Sequence, residues 1–391
     1  MANVLTAVTP KLLAQGLMAL RQNAVTAQLV NRRYEPLAGE RGSTIDVPIP
    51  SAIAVQQVSP AATPPSTADF QPTSVPVALT SWWEAPFYMT DQDMLTAMEG
   101  TIPMQASEAI KSLANKIDAT ILATYTKFYG FHGNENAGAF LTPFTNSSGV
   151  ATDAGDATKI RKILNTQLAP LDDRHVIMDP DGEAAALNIR AFQDTSWSGD
   201  PRAILEGQLN RRVGFNWWMD QNIPRHTSGT AAAATVTTID ANVVGDKTVT
   251  MKVSTGTATL VIGDIVSFAN HTQTYVVTAA ATLDTTGVAV SIEPGLVVAV
   301  DGSGTPVTTD VKPSHTVNLA IHRDAIAFAT RPLAMHGPAL GVISQSAVDP
   351  ISGLTLRLEI THEHKRTRFS YDALWGVDVV RRELGARLAG V

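Results

Sequence analysis

The sequence predicts an α+β chain in which an all-β, barrel-like domain is inserted into a mixed α/β body. Three observations predict it. One long amphipathic helix spans residues 101 to 129, a stretch from Thr227 to Asp310 holds almost no helix formers and reads as short strands, and mixed patterns resume after it at NLAIHRDAIAFATRPL. A chain of 391 residues has room for this, since single cores stop growing near about 250 to 300 residues.

Thr9 and Pro10 read as an N-cap and first-turn residue. Leu12, Leu13, Leu17 and Leu20 follow at helical spacing, which predicts a short opening helix that cannot stand alone. TIDVPIPSAIAV, from Thr44, alternates as a strand, VSPAATPPSTADFQPTSVP places five prolines in nineteen residues, and VALTSWWEAPFYM is extended again. Two strand-like arms around a Pro-rich tip predict a long hairpin, whereas a linker would lack the arms.

In the long helix, Ala106, Ile110, Leu113, Ile117, Ile121, Tyr125 and Phe128 share one face, while Glu108, Lys111, Asn115 and Asp118 fall elsewhere. At about 1.5 Å per residue the helix is about 40 Å long and needs a sheet along its stripe. A loop, a helix over 157 to 168, a short strand at RHVIMDP and a helix starting near Gly182 make an α/β unit. The inserted segment then offers TVTTI, KTVTMKV, TLVIGDIVSFA, QTYVVTA, VAVSI and LVVAV between Gly, Asp and Asn turns. Six short strands in about 85 residues have the size of an independent barrel or sandwich. Near the end, LTLRLEITHEHK puts Leu354, Leu356, Leu358, Ile360, His362 and His364 on one strand face, with Thr355, Arg357, Glu359, Thr361, Glu363 and Lys365 on the other.

Composition narrows the function. Only 17% of residues are charged, which suits surfaces covered by other copies of the chain. A net charge of -7 argues against a dedicated nucleic-acid binder, which carries a basic face or stripe. The absence of cysteine excludes disulfides, thiolate zinc sites and a cysteine nucleophile. The first residues lack the features of a signal peptide, and no run reaches the about 18 apolar residues of a membrane span, so the expected location is the cytoplasm where the chain is made.

Candidate chemistry is thin. His362 and His364 continue a strand's inward face, two ligands do not make a metal site, and HEHKR lacks the one-turn spacing of HExxH. Arg366, Arg368, Arg381 and Arg382 are balanced by Glu359, Glu363, Asp372, Asp378 and Glu383, which favours an ion-paired subunit contact over a phosphate stripe. HRD at 322 to 324 has Ala329 where a kinase loop needs asparagine, and reads as a helix start with a charged cap. In DPDGE at 179 to 183, Asp181 reads as the cap of a helix whose first turn holds Glu183, in preference to a calcium loop. GSGTPV fails GxGxxG, and GxxxxGK and GxSxG do not occur, so no catalytic residue, cofactor or metal ligand is expected. Trp82 with Trp83, and Trp217 with Trp218, are neighbours in strand-like settings. Alternation sends one of each pair into the core and the other outward as an interface anchor, with base stacking as the sharper alternative.

Taken in order, GSTIDVPIP, WWEAPFYMTDQD, ASEAIKSLANKIDATILATY, VIGDIVSFA, NLAIHRDAIAFATRPL and SGLTLRLEITHEHKRTRFSYDALWGVDVVRREL make the chain resemble a tailed-bacteriophage major capsid protein of the Hong Kong 97 fold. The resemblance is to the branch with an inserted β domain, like the Salmonella short-tailed phage coat protein. It covers essentially the whole chain, and it rests on the order of soft patterns and the total length. It implies an N-terminal arm and helix over 1–42, an extended hairpin loop over 43–90, and a peripheral domain with a spine helix over 91–135 and 350–391. An axial domain over 136–228 and 314–349 and an inserted barrel-like domain over 229–313 complete the set.

The same resemblance implies self-assembly as pentamers and hexamers into an icosahedral shell around double-stranded DNA, which is held without sequence-specific binding. A procapsid would form in the host bacterial cytoplasm with a scaffolding protein and a portal, and expand on packaging into the virion capsid. A decoration protein stays open as a further partner. Trp82, Trp83, Arg366, Arg368, Arg381 and Arg382 are the subunit-contact candidates, and Asp246 and Lys247, in the turn from Asn242, stand for the loop between capsomers. An encapsulin-like nanocompartment shell keeps the fold and changes the contents. A secreted β adhesin and an enzyme are further alternatives, opposed by the missing signal features and the missing catalytic constellation.

Overall fold

The computed structural model describes residues 24–34, 44–49, 72–92, 101–151, 154–194, 205–303, 305–335, 342–348 and 354–391, with isolated positions between 50 and 71. The helix expected over residues 12 to 20 and the Pro-rich hairpin tip lie outside the described residues.

Strand β1 (Thr44–Ile49) runs antiparallel to β2 (Thr73–Ala78), with Ile45 opposite Val77. Ile45, Val47, Val77 and Leu79 bury against Ala327 and Ala329, so the alternation read from the sequence seats one face of this pair on the body. A Cβ at Gly376 would stand 2.5 Å from the Ala78 carbonyl oxygen, and glycine permits that approach. The second arm ends at Ala78. The WWEAPFYM stretch, expected as its continuation, is a separate strand, β3 (Ser81–Thr90), paired antiparallel along Arg366–Trp375. Leu79 and Thr80 break the run, and the ladder of the body takes over.

Helix α1 (Thr101–Leu122) carries Pro103 in its first turn, where no backbone donor is needed, and no glycine or proline after it. Ala106, Ile110, Leu113, Ile117 and Ile121 form its buried stripe. It is shorter than the periodicity indicated, because Ala123–Lys127 continues as a 3-10 turn, which keeps residues three apart on one side and so prolongs the pattern to a buried Phe128. Asp118, expected off the buried stripe, is fully buried. Residues 24–30 cross the helix there and need an acceptor: the Asp118 carboxylate receives the Val25 N–H at 2.9 Å, the Thr26 N–H at 3.1 Å and the Thr26 hydroxyl.

The α/β unit follows: β4 (Gly130–His132), α2 (Gly155–Thr166), β5 (Arg174–Met178), α3 (Pro180–Leu187), β6 (Arg211–Arg212), β7 (Phe215–Met219) and β8 (Arg225–His226). The cap of α3 is Asp179 and not Asp181. Pro180 occupies the first helical position, so the extended residue before it accepts the Gly182 N–H, while Asp181 and Glu183 sit in the first turn.

Six strands then close a barrel: β9 (Val236–Thr238), β10 (Thr248–Val253), β11 (Ile265–Phe268), β12 (Tyr275–Val277), β13 (Val288–Glu293) and β14 (Val307–Val311), in the order β9–β10–β13–β12–β11–β14. The sixth staple is PVTTDV, not the LVVAV stretch, whose Val300–Asp301 pairs only with Ala241–Asn242. TLVIGDIVSFA is not one strand either. Gly263, at φ +96°, turns the chain, so Ala258–Leu260 pairs aside with Ala281–Leu283 and Ile265 begins anew. The barrel has its own core around Val249, Met251, Phe268, Tyr275, Val290 and Ile292.

After it come β15 (His315–His322), β16 (Ile326–Arg331), β17 (Val342–Val348), β18 (Thr355–Glu363), β19 (Arg366–Val379) and β20 (Gly385–Gly390). The seven-stranded sheet reads β4–β20–β15–β5–β7–β6 with β8 on β15, and the five-stranded sheet reads β16–β19–β18–β17 with β3 on β19. The chain thus leaves the seven-stranded sheet at His226 and rejoins it at His315, next to where it left. HRD is a 3-10 turn, Arg323–Ala325, between β15 and β16, and its cap is the neutral-capable imidazole of His322, which accepts the Asp324 N–H at 3.2 Å. One apolar core runs from α1 and β19, with Phe369, Tyr371 and Trp375, into the seven-stranded sheet, with Ile177, Phe215 and Leu319. The architecture is mixed α+β.

Candidate functional site

Among the described residues, no three His, Cys, Asp or Glu side chains come together as metal ligands, and no helix is long and apolar enough to cross a membrane. The chemistry lies on exposed faces and in buried polar joints.

The first face follows β3. One side of this strand pairs with β19, and among the described residues no strand pairs with the other, which leaves a ladder of backbone donors and acceptors open. Neither Trp82 nor Trp83 enters the core: they are 62% and 47% exposed, because an edge strand has neither face fully covered. They do point apart. The Trp82 indole donates to Asp372 Oδ2 at 3.1 Å, while Lys116 of α1 places Nζ 4.0 Å from the Trp83 ring. Further along, Phe87 stacks on Phe369 at 5.1 Å, and the Arg366 guanidinium lies 4.7 Å from the Tyr88 ring. In the other pair, Trp217 is buried and Trp218 is 44% exposed, as alternation requires.

The arginines meet acids of their own chain. Arg366 pairs with Glu363 at 2.6 Å, Arg368 with Glu84 at 2.6 Å and Arg382 with Glu293 at 3.0 Å, while Arg381 is half-buried. His362 and His364 are both exposed, against the expectation that they extend a buried face. His362 stands near the end of β18, opposite Thr367, where its side chain is left uncovered, and His364 and Lys365, at φ +53°, already form the turn into β19. His362 Nδ1 lies 3.2 Å from the Thr367 hydroxyl.

The second face is one end of the barrel. Val243 and Val244 are each 63% exposed, and Val297 and Val298, also exposed, lie on the adjoining loop, joined by Gly245 N–H to Leu296 O at 2.7 Å. Asp246 closes its own turn by accepting the Val243 N–H at 2.8 Å, and Lys247 pairs with Glu293 at 3.0 Å. The exposed apolar contribution here is valine, whose type and spacing in the sequence are those of an ordinary strand residue.

Buried polar joints were not legible as such. Arg174 donates to the Ala169 carbonyl at 2.7 Å and to Pro170 O at 2.5 Å, closing the turn after α2. Asp156 at the start of α2 accepts from His132, Asn134 and the Phe144 N–H, and although burial alone would raise it, these donors hold its carboxyl below the usual range. Burial pushes Asp118 up to about 7, against the hydrogen bond from Thr26. Between the barrel and the seven-stranded sheet, Tyr125, His226, Asp264, His315 and Arg387 meet, where burial drives His315 down to about 3 and Arg387 down to about 9.

No protein family and no curated protein matches the sequence. Solved structures do match the fold. A chain from Mycobacterium phage Che8 superposes with a TM-score of 0.52 at 13% identity, over 93% of this chain and 90% of that one. A chain of the capsid of the Cyanophage P-SCSP1u gives 0.52 at 10% identity, over 94% of this chain and 88% of that one. The fold is similar to that of a phage capsid chain. The likeness spans nearly all of both partners.

Proposed function

We propose that the chain is the major capsid protein of a tailed bacteriophage, with the Hong Kong 97 organisation and a barrel inserted in its axial domain. The observation that carries this reading is the near-full-length fold likeness to the cyanophage capsid chain. An α+β body with an open-edged strand and a charge-poor surface supports it, since a shell subunit must cover its surfaces with copies of itself.

In this reading the subunit builds pentamers and hexamers of an icosahedral shell around double-stranded DNA, with a scaffolding protein and a portal as partners and a structural role in place of a catalytic one. Residues 43–90 reach a neighbour, the spine helix α1 with residues 350–391 forms the peripheral domain, and residues 136–228 with 314–349 line the capsomer centre. Trp82, Trp83 and the Arg366 and Arg368 pairs then lie at subunit contacts, and the turn with Asp246 and Lys247, beside its exposed valines, faces the next capsomer. An acidic shell releases DNA readily, because clustered Lys and Arg on phosphates are what make binding tenacious.

Electron microscopy of the purified protein, expressed with and without its upstream neighbouring gene, tests the proposal. Closed icosahedral shells, regular when the neighbour is present, are expected. A uniform small oligomer under every condition would overturn it, and closed shells that retain a protein cargo and no nucleic acid would replace it with the nanocompartment reading.

A further inference from the structure

The barrel joins the seven-stranded sheet through two connections, residues 227–229 and 312–314, which lie side by side, with the Ser228 N–H donating to the Ser314 hydroxyl at 3.0 Å. Two adjacent connections make a hinge by themselves. The apolar contact at the joint is small: Phe131, Phe140 and Ala389 of the body against Ile265 and Val276 of the barrel. Ion pairs around the rim, Lys312 with Glu135 at 3.2 Å and Arg382 with Glu293 at 3.0 Å, are partly exposed, and solvent screening makes such pairs weak. Something else must fix the angle.

Inside the joint lies a chain of polar groups from five elements. The Asp264 carboxylate can only accept, so His226 donates to it from Nε2 at 2.8 Å, and its Nδ1 shares a hydrogen bond with the Tyr125 hydroxyl at 3.0 Å. The second Asp264 oxygen accepts the Val261 N–H at 2.8 Å and the Gly229 N–H at 3.3 Å, which ties the barrel turn to the first connection. Arg387 of β20, fully buried, donates from Nη1 to the Gly263 carbonyl at 2.7 Å and lies 5.1 Å from the Tyr125 ring. Its Nε and Nη2 have no hydrogen-bond partner among the described atoms.

A guanidinium this deep with so few acceptors is a poor way to gain stability, since the cost of removing a charge from water can exceed what its partners return. It is a good way to select one geometry: swinging the barrel would part Arg387 from Gly263 and His226 from Asp264 while both charges remain in apolar surroundings. We propose that the Tyr125–His226–Asp264–Arg387 network is an orientation lock, which holds the barrel at one angle to the seven-stranded sheet and whose removal frees that angle while both parts stay folded. The lock is a property of the single chain, independent of whether the chain builds a shell.

The cysteine-free sequence makes the test direct. Spin labels on Val243→Cys in the barrel and Met104→Cys on α1, both exposed, report the angle by electron–electron dipolar spectroscopy, with labelled chains diluted in unlabelled ones. With the network intact, one narrow distance distribution is expected. Arg387→Met combined with Asp264→Asn removes both charges together, keeps an acceptor for Val261 and Gly229, and should at least double the width of the distribution with circular dichroism unchanged. A broad distribution in the intact protein, or a narrow one in the folded double variant, overturns the proposal. Should the double variant fail to fold, Tyr125→Phe, which removes one hydroxyl from the chain of bonds, must still broaden the distribution, and an unchanged width there overturns it as well.

Discussion

Arg357 and Asp372 face each other across β18 and β19 through two parallel hydrogen bonds, Nε to Oδ1 at 2.9 Å and Nη2 to Oδ2 at 2.5 Å. Both side chains are buried, Asp372 holds the guanidinium above its ordinary value, and Arg357 also donates to the Ala334 carbonyl at 2.7 Å. The fork ties the five-stranded sheet to the segment leading into β17, and its Asp372 end anchors the Trp82 indole of β3. One buried pair therefore organises four stretches of chain, β18, β19, β3 and the segment at Ala334.

Removing one partner of this pair strands the other. Asp372→Ala is expected to cost about 3 to 5 kcal/mol, while Arg357→Met with Asp372→Leu, which removes both charges, should cost clearly less than either single change. Guanidinium unfolding of Arg357→Met, Asp372→Leu and the double variant, beside Asp372→Ala, measures it. Additive losses in the double variant would show that the two residues do not act as a pair.

Asp118 gives a pH dependence of definite sign. Its folded value, about 7, stands above the ordinary 3.8, so the folded chain binds a proton that the unfolded chain releases between these values. The stability due to the neutral form is complete below about pH 4 and is lost as pH rises through 7. Asp118→Asn keeps an acceptor for Thr26 and cannot titrate. Relative to it, the parent protein should lose on the order of a few kcal/mol between pH 4 and pH 8 in urea unfolding. Parallel curves for the two proteins would place the Asp118 titration elsewhere.

What the sequence makes legible is periodicity, and what it hides is which surface covers a residue. The stripe of α1 and the alternation of the barrel strand β10 are read correctly because Ile110, Leu113 and Val249 signal burial by type and spacing alone. Asp118 has the same spacing information and the opposite outcome, since Thr26, in the segment that covers it, lies 92 residues away from it in sequence. His362 and His364 fail for a related reason. A period of two predicts burial only while something covers the face: His362, in β18 opposite Thr367, lies at its uncovered end, and His364 lies in the turn beyond Glu363. Trp82 and Trp83 were placed by alternation on opposite sides, which holds, but an edge position leaves both exposed. The joint of Tyr125, His226, Asp264 and Arg387 draws on four distant stretches, and no local pattern marks it.

The exposed histidines carry a consequence opposite to that of a core pair. His362→Ala and His364→Ala should each shift stability by less than about 0.5 kcal/mol, the range for surface changes. Neither should alter zinc content. A thermal-unfolding loss several times larger, or stoichiometric zinc by elemental analysis that either change removes, would refute the assignment of both to the solvated end of the β18–β19 hairpin.

At α3 the two acids before and after Pro180 have different duties. Asp179 accepts the Gly182 N–H from the cap position, and Asp181 only complements the positive end of the helix. Asp179→Ala should therefore cost about 1 kcal/mol, or somewhat more since Asp179 is buried, and Asp181→Ala a few tenths. Chemical denaturation of both variants distinguishes them, and equal losses would return the cap to Asp181.

The tryptophans separate folding from assembly. Trp83 is held by one cation–π contact with Lys116, worth about 0.5 to 1 kcal/mol at an exposed site, so Trp83→Ala should leave the single subunit nearly as stable as before. Trp82→Phe removes the hydrogen bond to Asp372 and should cost about 1 kcal/mol, because a buried carboxylate loses a donor. If β3 is a contact between subunits, Trp83→Ala must lower the yield of closed particles in sedimentation several-fold, out of proportion to its small effect on unfolding, as an exposed aromatic anchor does when a partner covers it. Equal yields from parent and variant, with subunit stability also equal, would leave the open edge of β3 outside the assembly contacts and shift that role to the valine-bearing end of the barrel.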